Sequence, residues 1–213
     1  MKRGKAMLRI LGKPGSINVR KVLWLCEELA LAYELEPWGA GYRDTHVPEF
    51  LALNPNAMVP VLVDGDAVLW ESNTICRYLA GRERREDLLP RDALPRARVE
   101  QWMDWQAGDL NNAWRYAFMS LVRHSAAHQD SQAIAASNVA WNHHMTILEH
   151  QLDKTGAYAA GAAFTLADIV LGVSVNRWFM TPIERPDLPN VKAYYDRLAT
   201  RPGFLQHGRN GTP

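Results

Sequence analysis

The chain has 213 residues, of which 47% are hydrophobic and 22% charged, and 24 basic side chains nearly balance 23 acidic ones. This length accommodates one large domain or two small ones, and the apolar content argues against extended disorder. The near-neutral charge lacks the basic excess of proteins that bind nucleic acid through phosphates. No apolar run approaches the ~20 residues that span a bilayer.

The few cysteines indicate a reducing compartment. Two cysteines and no Cys-x-x-Cys pair are present, so we expect neither a disulfide framework nor a thiolate zinc site. Arg9 and Lys13 interrupt any signal-peptide core, and residues 1–6 form a patternless leader that we expect to fray. We therefore predict a cytoplasmic protein with no metal, membrane or nucleic-acid partner. Three histidines lack metal-ligand spacing to acidic residues, which favours a solvated helix face; they are His143, His144 and His150.

The first 85 residues alternate strand and helix patterns. Met7–Leu11 is a short apolar strand that ends at Gly12, and Ile17–Leu31 shows the 3.6-residue period of an amphipathic helix. This mixed order predicts a small α/β layer. The next elements along the chain are a strand at Tyr33–Trp38, a short helix around Pro48–Leu53, a hairpin of Val59–Val63 and Ala67–Trp70, and a helix at Glu71–Arg82.

The rest of the chain changes character. Residues 83–95 form a charged, proline-bounded link, and beyond Arg96 long helical periods succeed one another without any strand pattern. The sequence therefore predicts an α/β domain over residues 7–85 and an all-α domain over residues 96–205. In the helical part, Trp114 and Phe118 share one helix face and are candidates for lining a hydrophobic pocket.

The first candidate for chemistry is Ser16-Ile17-Asn18, between a strand and a helix. A helix N-terminus exposes free N–H groups and a partial positive charge, which favour a bound anion. A hydroxyl or amide side chain there adds a donor. Ordinary helix capping is the alternative interpretation, and on capping preferences alone it is the stronger one.

The second candidate is Val59-Pro60, where proline enters a predicted strand. Proline cannot donate to the hydrogen-bond ladder of a sheet. A cis bond explains its presence if the backbone of the preceding residue pairs with an extended peptide ligand. An edge-strand proline explains it equally well.

The third candidate is Glu71-Ser72, at the start of a helix. The Ser side chain and first-turn N–H groups can hold a carboxylate, while the Glu carboxylate can pair with an ammonium group. Together they suit an amino-acid head group. Taken alone, a capping arrangement is the simpler interpretation.

Taken together, these motifs and their spacing resemble the glutathione transferase family, in its bacterial, serine-type, theta-like form. Asn54-Pro55 and the hairpin turn Asp64-Gly65 also match, as does Thr165-Leu166-Ala167-Asp168 in the helical half. Thr165 and Asp168 fit a reciprocal capping pair at a buried helix start. The resemblance covers the chain from about Met7 to Phe204 and implies a thioredoxin-like α/β N-terminal domain, followed by an all-α helical C-terminal domain that contributes the second-substrate pocket.

The resemblance also implies a role for each site residue. Ser16 occupies the position of the hydroxyl that hydrogen-bonds the glutathione sulfur, and Asn18 that of an amide used for this purpose in some bacterial relatives. Thr45 lies at the loop position that reaches the glycine end, with His46 as the alternative. The sequence departs from many relatives at Met58, where a lysine often contacts that end. The remaining glutathione contacts are Val59 through its main chain, Pro60 in the cis form, and Glu71 and Ser72 at the γ-glutamyl amine and carboxylate.

The implied activity is conjugation of glutathione, the co-substrate, to small hydrophobic electrophiles, a detoxification reaction of a cytoplasmic homodimer. One alternative is a glutathione-dependent peroxidase or disulfide reductase, which uses the same thiolate on another acceptor. The other alternative is a non-enzymatic glutathione-binding scaffold that keeps the fold.

Overall fold

The structure, a computed structural model, describes residues 7–213. The predicted leader, residues 1–6, lies outside the described residues. The chain divides after Arg84 into two compact units. No helix within residues 7–213 is both long and apolar enough to cross a membrane.

The N-terminal unit is built on a four-stranded mixed sheet in the order β2-β1-β3-β4. Strand β1 is parallel to β2 and antiparallel to β3, and β3 is antiparallel to β4. This is the α/β layer that the sequence predicts, in the thioredoxin-like form that the family resemblance implies. Its elements are β1 (Leu8–Gly12), α1 (Ile17–Glu28), β2 (Tyr33–Pro37), α2 (Pro48–Leu51), β3 (Val61–Asp64), β4 (Ala67–Trp70) and α3 (Ser72–Arg82).

Helix α1 is shorter than the sequence predicts. It ends at Glu28 because Ala30 adopts a positive φ of 49° and the Leu31 N–H bonds back to the Cys26 carbonyl at 2.9 Å. A left-handed residue with such a back-bond closes a helix, and glycine is the usual residue there. Alanine gives no comparable sequence signal. The predicted helix, which follows the hydrophobic period, therefore extends beyond the observed end at Glu28.

Strand β3 begins two residues later than predicted, at Val61. Pro60 has no N–H to give to the ladder, and the Val59–Pro60 peptide bond is cis. The predicted cis bond is therefore confirmed, and Val59 lies in the loop that leads into β3.

The C-terminal unit is all helical, as predicted. Its first helix begins at Ala93, inside the predicted link, because Pro95 lies in the first turn, where no helical N–H is needed. A π-helical turn at Gln106–Leu110, which the continuous hydrophobic period hides, joins the first two helices. The helices are α4 (Ala93–Trp105), α5 (Asn111–Leu121), α6 (Ser131–Thr155), α7 (Leu166–Met180), α8 (Pro189–Leu198) and α9 (Pro202–His207).

Helix α7 is buried over nearly its whole length, and a capping box fixes its start. The Asp168 carboxylate accepts the Thr165 N–H at 2.8 Å, the Ala159 N–H at 3.0 Å and the Tyr194 hydroxyl at 3.0 Å. The predicted capping pair is thus present and extends to two further donors. Burial raises the pKa of Asp168 to about 6, against the lowering effect of these hydrogen bonds.

We expect Asp168→Ala to lower the free energy of unfolding by about 3–5 kcal/mol, because several buried donors lose their acceptor at once. Urea unfolding measures this loss. Asp168→Asn keeps one acceptor and should lose less.

Because the pKa of Asp168 is raised in the folded state, the free energy of unfolding should depend on pH. Between pH 4 and 6 the folded carboxyl of Asp168 keeps its proton while the unfolded one releases it, so rising pH favours unfolding. The stability advantage of the wild type over Asp168→Asn should be greatest near pH 4 and should decline by about 2–3 kcal/mol as the pH rises through 6. An advantage that instead grows from pH 4 to pH 7 would contradict this account.

Candidate active site

The sheet register brings four loops to one edge of the N-terminal unit. At that edge Leu11 pairs with Val61, Gly12 pairs with Pro37, and Val61 also pairs with Trp70. Strands β1, β2 and β4 end there, and β3 begins there. The loops after β1 and β2, the loop before β3 and the start of α3 therefore converge, although they are far apart in sequence.

A groove lies at this edge. Its larger part is a cavity of about 550 Å³, and its smaller part has a volume of about 80 Å³. Asn18, Met58 and Val59 line both parts, so the two parts adjoin. The structure brings all seven predicted site residues to it: Ser16, Asn18, Thr45 and Val59 line the larger part, and Asn18, Val59, Pro60, Glu71 and Ser72 line the smaller part.

Ser16 holds the N-cap position of α1 in an extended conformation, but within the described chain its hydroxyl makes no capping hydrogen bond. The capping interpretation of Ser16 is therefore wrong. Its side chain lies on the wall of the larger cavity, beside the first-turn N–H groups of a helix.

Helices α1 and α3 start next to each other. The Ser72 hydroxyl donates to the Asn18 side-chain carbonyl at 3.4 Å, which links the first turns of the two helices. Because the Asn18 carbonyl oxygen accepts this bond, the NH₂ group is the part of the Asn18 side chain that can donate to a ligand. Two helix N-termini at one place give the groove a positive potential, which suits an anion such as a thiolate or a carboxylate.

Glu71 has a backbone conformation that non-glycine residues rarely adopt, with φ 70° and ψ 111°. Among the described residues its side chain caps nothing, although it stands at the N-cap position of α3. Strain of this kind costs of order 1–3 kcal/mol and persists mainly at functional sites. The capping interpretation of Glu71 is therefore wrong too, and its exposed carboxylate is held beside the smaller part of the groove.

The loop before Val59 is organised by the buried side chain of Asn54. Its NH₂ group donates to the Met58 carbonyl at 2.8 Å, and its carbonyl accepts the Asn56 N–H at 3.0 Å. Ala57, between these contacts, has a positive φ of 53°. Asn54 thus holds the turn that presents the Val59 main chain to the groove.

The other end of the larger cavity carries polar residues from the loop after β2. Thr45 is buried in the cavity wall, whereas the His46 ring is exposed and pairs with Asp44 at 3.2 Å. The sequence interpretation missed Lys13, which also lines this cavity and donates to the Ala40 carbonyl at 3.0 Å. A cation two residues before a glycine-serine turn gives no recognised motif.

Neither cysteine belongs to the groove. Cys26 and Cys76 are both 0% exposed, and burial raises the pKa of each thiol to about 12. The prediction that both are core side chains is confirmed. No thiol of this chain can serve as a nucleophile in the groove.

Whether Trp114 and Phe118 line a hydrophobic pocket stays a prediction. Both rings are buried in the helical unit, where the Arg177 guanidinium lies 4.5 Å from the Trp114 ring centre and 3.9 Å from that of Phe118. A cation stacked on aromatic faces stabilises a desolvated arrangement. Within the helical unit this aromatic face packs against Arg177.

Known proteins share this architecture. Residues 6–81 match the family model for the glutathione S-transferase N-terminal domain, and residues 111–202 match that for the C-terminal domain. Glutathione S-transferase GstB of Escherichia coli (strain K12) is 36% identical over 198 residues, which cover 92% of this chain and 95% of that protein. This chain belongs to the glutathione S-transferase family.

Further members of the glutathione S-transferase family agree with this assignment. Glutathione S-transferase 3 of Zea mays is 34% identical over 212 residues, covering 93% of this chain and 92% of that protein. The crystal structure of the theta class glutathione S-transferase from the citrus canker pathogen Xanthomonas axonopodis pv. citri, with glutathione bound, matches with a TM-score of 0.90 at 37% identity. That match covers 97% of this chain and 99% of the other. The predicted fold and the predicted transferase family are confirmed, and the chain is a glutathione transferase.

We expect Glu71→Ala to weaken glutathione binding by about 2 kcal/mol, on the prediction that the Glu71 carboxylate pairs with the γ-glutamyl ammonium. Isothermal titration calorimetry measures this change. Glu71→Gly is the matched variant, since it removes the same carboxylate and also relieves the positive φ. It should bind as weakly as Glu71→Ala but unfold at a higher temperature, and unchanged affinity in both variants would remove Glu71 from the site.

Proposed function

We propose that this transferase joins the thiolate of glutathione to small hydrophobic electrophiles, with the groove as the glutathione site. The observation that carries the proposal is the Ser16 hydroxyl, which makes no capping bond and lines a cavity at a helix N-terminus. The helical unit, residues 85–213, is the proposed source of apolar surface for the electrophile, as the family resemblance implies.

The tripeptide is placed by its chemical groups. Its γ-glutamyl amine pairs with Glu71, and its α-carboxylate accepts from Ser72 and from first-turn N–H groups of α3. The Val59 main chain pairs with the cysteinyl unit, with Pro60 shaping the loop. Thr45 belongs at the glycine end. The order of these groups along the groove supports the placement, because Val59 lines both of its parts.

The reaction needs a thiolate near neutral pH, whereas a free thiol has a pKa near 8.5. The Ser16 hydroxyl cannot act as a base, so its role is to donate a hydrogen bond that favours the charged sulfur. Asn18 NH₂ offers a second donor, and the α1 N-terminus adds its partial charge. The sulfur then attacks an electrophilic carbon, a C–S bond forms, and the leaving group departs with the bonding electrons.

The two rival functions differ in the fate of the thiolate. A glutathione-dependent peroxidase or disulfide reductase passes the sulfur to oxygen or to another sulfur, and the buried cysteines leave glutathione as the sole thiol for that chemistry. A scaffold needs no activating donor, so the uncapped Ser16 favours an enzyme. Purified protein should therefore be assayed with glutathione and, separately, an aromatic chloride, an epoxide and an organic peroxide. Turnover of the peroxide alone would favour the peroxidase, and turnover of none would favour the scaffold.

The proposal includes a cytoplasmic homodimer with a detoxifying role. Support for self-association comes from the edge strand β4, whose Val68 and Trp70 side chains are 37% and 40% exposed. Large apolar side chains on an open strand edge are characteristic of interaction surfaces. Sedimentation equilibrium tests the dimer, and Trp70→Lys should weaken it.

Ser16→Ala should raise the pKa of the bound glutathione thiol by about one to two units, because a hydrogen bond to a charged acceptor contributes about 1.5–3 kcal/mol. Turnover should fall at neutral pH and recover partly at higher pH. Glutathione affinity should change much less, since Glu71, Ser72 and the Val59 main chain hold the rest of the peptide. Thiolate absorbance of the bound tripeptide against pH measures the shift.

Asn18→Ala and the double variant complete this experiment. A shift in Asn18→Ala but not in Ser16→Ala would make the amide the sulfur's partner and reverse the assignment. No shift in any variant would leave the helix terminus alone as the stabilising group.

A further inference from the structure

Lys13 brings a positive charge to the groove. It lines the larger cavity, and its ammonium group donates to the Ala40 carbonyl at 3.0 Å. Among the described residues that line this cavity, Lys13 is the one lysine or arginine. The bond to Ala40 holds the charge at the cavity wall.

The stem of Lys13 faces Val59 across Gly39. A Cβ atom built on Gly39 would contact Lys13 Cδ and both Val59 Cγ atoms, each at 3.9 Å. The absence of a side chain at Gly39, whose φ is 99°, leaves this space open between the two residues. The side chains of Lys13 and Val59 therefore both adjoin Gly39 in the wall of the larger cavity.

Glutathione carries two carboxylates, and the groups assigned so far bind only the one at the γ-glutamyl end. The γ-glutamyl end belongs at Glu71 and Ser72, in the smaller part. From Val59 the extended tripeptide continues one residue, about 3.5 Å, into the larger part. Its glycine carboxylate then lies in the cavity that Lys13 lines.

The other groups at this end are poor partners for a carboxylate. Met58 is 64% exposed and apolar, and the Asp44 carboxylate repels an anion. Asp44 accepts the His46 backbone N–H at 2.9 Å, and the His46 ring Nδ1 lies 3.2 Å from the same carboxylate oxygen, so this ring is shared with an acidic neighbour. Thr45 can donate one hydrogen bond but brings no charge.

We propose that Lys13 binds the glycine carboxylate of glutathione and makes the site select thiol peptides with a free C-terminal carboxylate. The proposal rests on the glutathione site proposed above and adds a residue from the β1–α1 turn. A lysine there compensates for the methionine at position 58.

The test compares glutathione with its glycine monoethyl ester, which is neutral at this end only. Calorimetric affinities for both peptides should be measured for the wild type, Lys13→Met and Lys13→Arg. Wild type should prefer glutathione about tenfold, a difference that corresponds to about 1.4 kcal/mol. Lys13→Met should bind both peptides about equally, and Lys13→Arg should keep most of the preference.

A rescue and a control make the test specific. Lys13→Met combined with Met58→Lys should restore the preference by returning a cation to the same end. Lys192→Met removes an exposed lysine that pairs with Asp196 in the helical unit, and it should leave the preference unchanged.

The outcomes separate this proposal from the one on which it rests. A wild type that binds neither peptide overturns the glutathione site, and Lys13 with it. A wild type that binds glutathione, together with a Lys13→Met variant that keeps the tenfold preference, overturns only the role of Lys13. A Lys13→Met variant that loses no preference but raises the pKa of the bound thiol would show that Lys13 acts on the sulfur instead, which also overturns it.

Discussion

The groove depends on the pairing of residues at one end of β1. Leu11 opposite Val61 and Gly12 opposite Pro37 fix which ends of the strands come together. A shift of one residue would turn each side chain to the other face of the sheet and separate the loops. Gly12 also lets α1 approach closely, because a Cβ there would stand 2.5 Å from Val19 Cγ2. The helix N-terminus can thus lie directly beside the sheet edge.

Helix starts in this chain differ in whether side chains satisfy their first N–H groups. In the helical unit, Asp130 caps α6, Glu149 accepts the Val191 N–H at 2.8 Å at the start of α8, and the reciprocal pair of Thr165 and Asp168 begins α7. At the groove, α1 and α3 have no side-chain cap among the described residues. Unoccupied donors cost stability and are useful to a ligand. The caps of α6, α7 and α8 stabilise the helical unit, whereas the first-turn N–H groups of α1 and α3 face the groove.

Sequence reasoning found the strands and the groove residues because local patterns report them. Ser16 comes after a strand, Pro60 interrupts one and Glu71 precedes a helix, and each of these positions is read from neighbours in the chain. Contacts between residues that are far apart in the sequence could not be predicted from such local patterns. Arg177 covers Trp114 only after α5 and α7 pack, and Lys13 enters the site only through the geometry of the loop after β2. A positive φ at a residue other than glycine, as at Ala30, also gives no signal in the sequence.

Burial of the two cysteines protects them from reagents that modify thiols. Alkylating agents and oxidised glutathione modify thiolates, not thiols. With the pKa of Cys26 and Cys76 raised to about 12, roughly one such group in 100,000 is ionised at pH 7, and both are sealed from solvent. Mixed disulfides and covalent adducts at sulfur therefore require prior unfolding. A mutation that loosens the N-terminal core would therefore expose both thiols to modification.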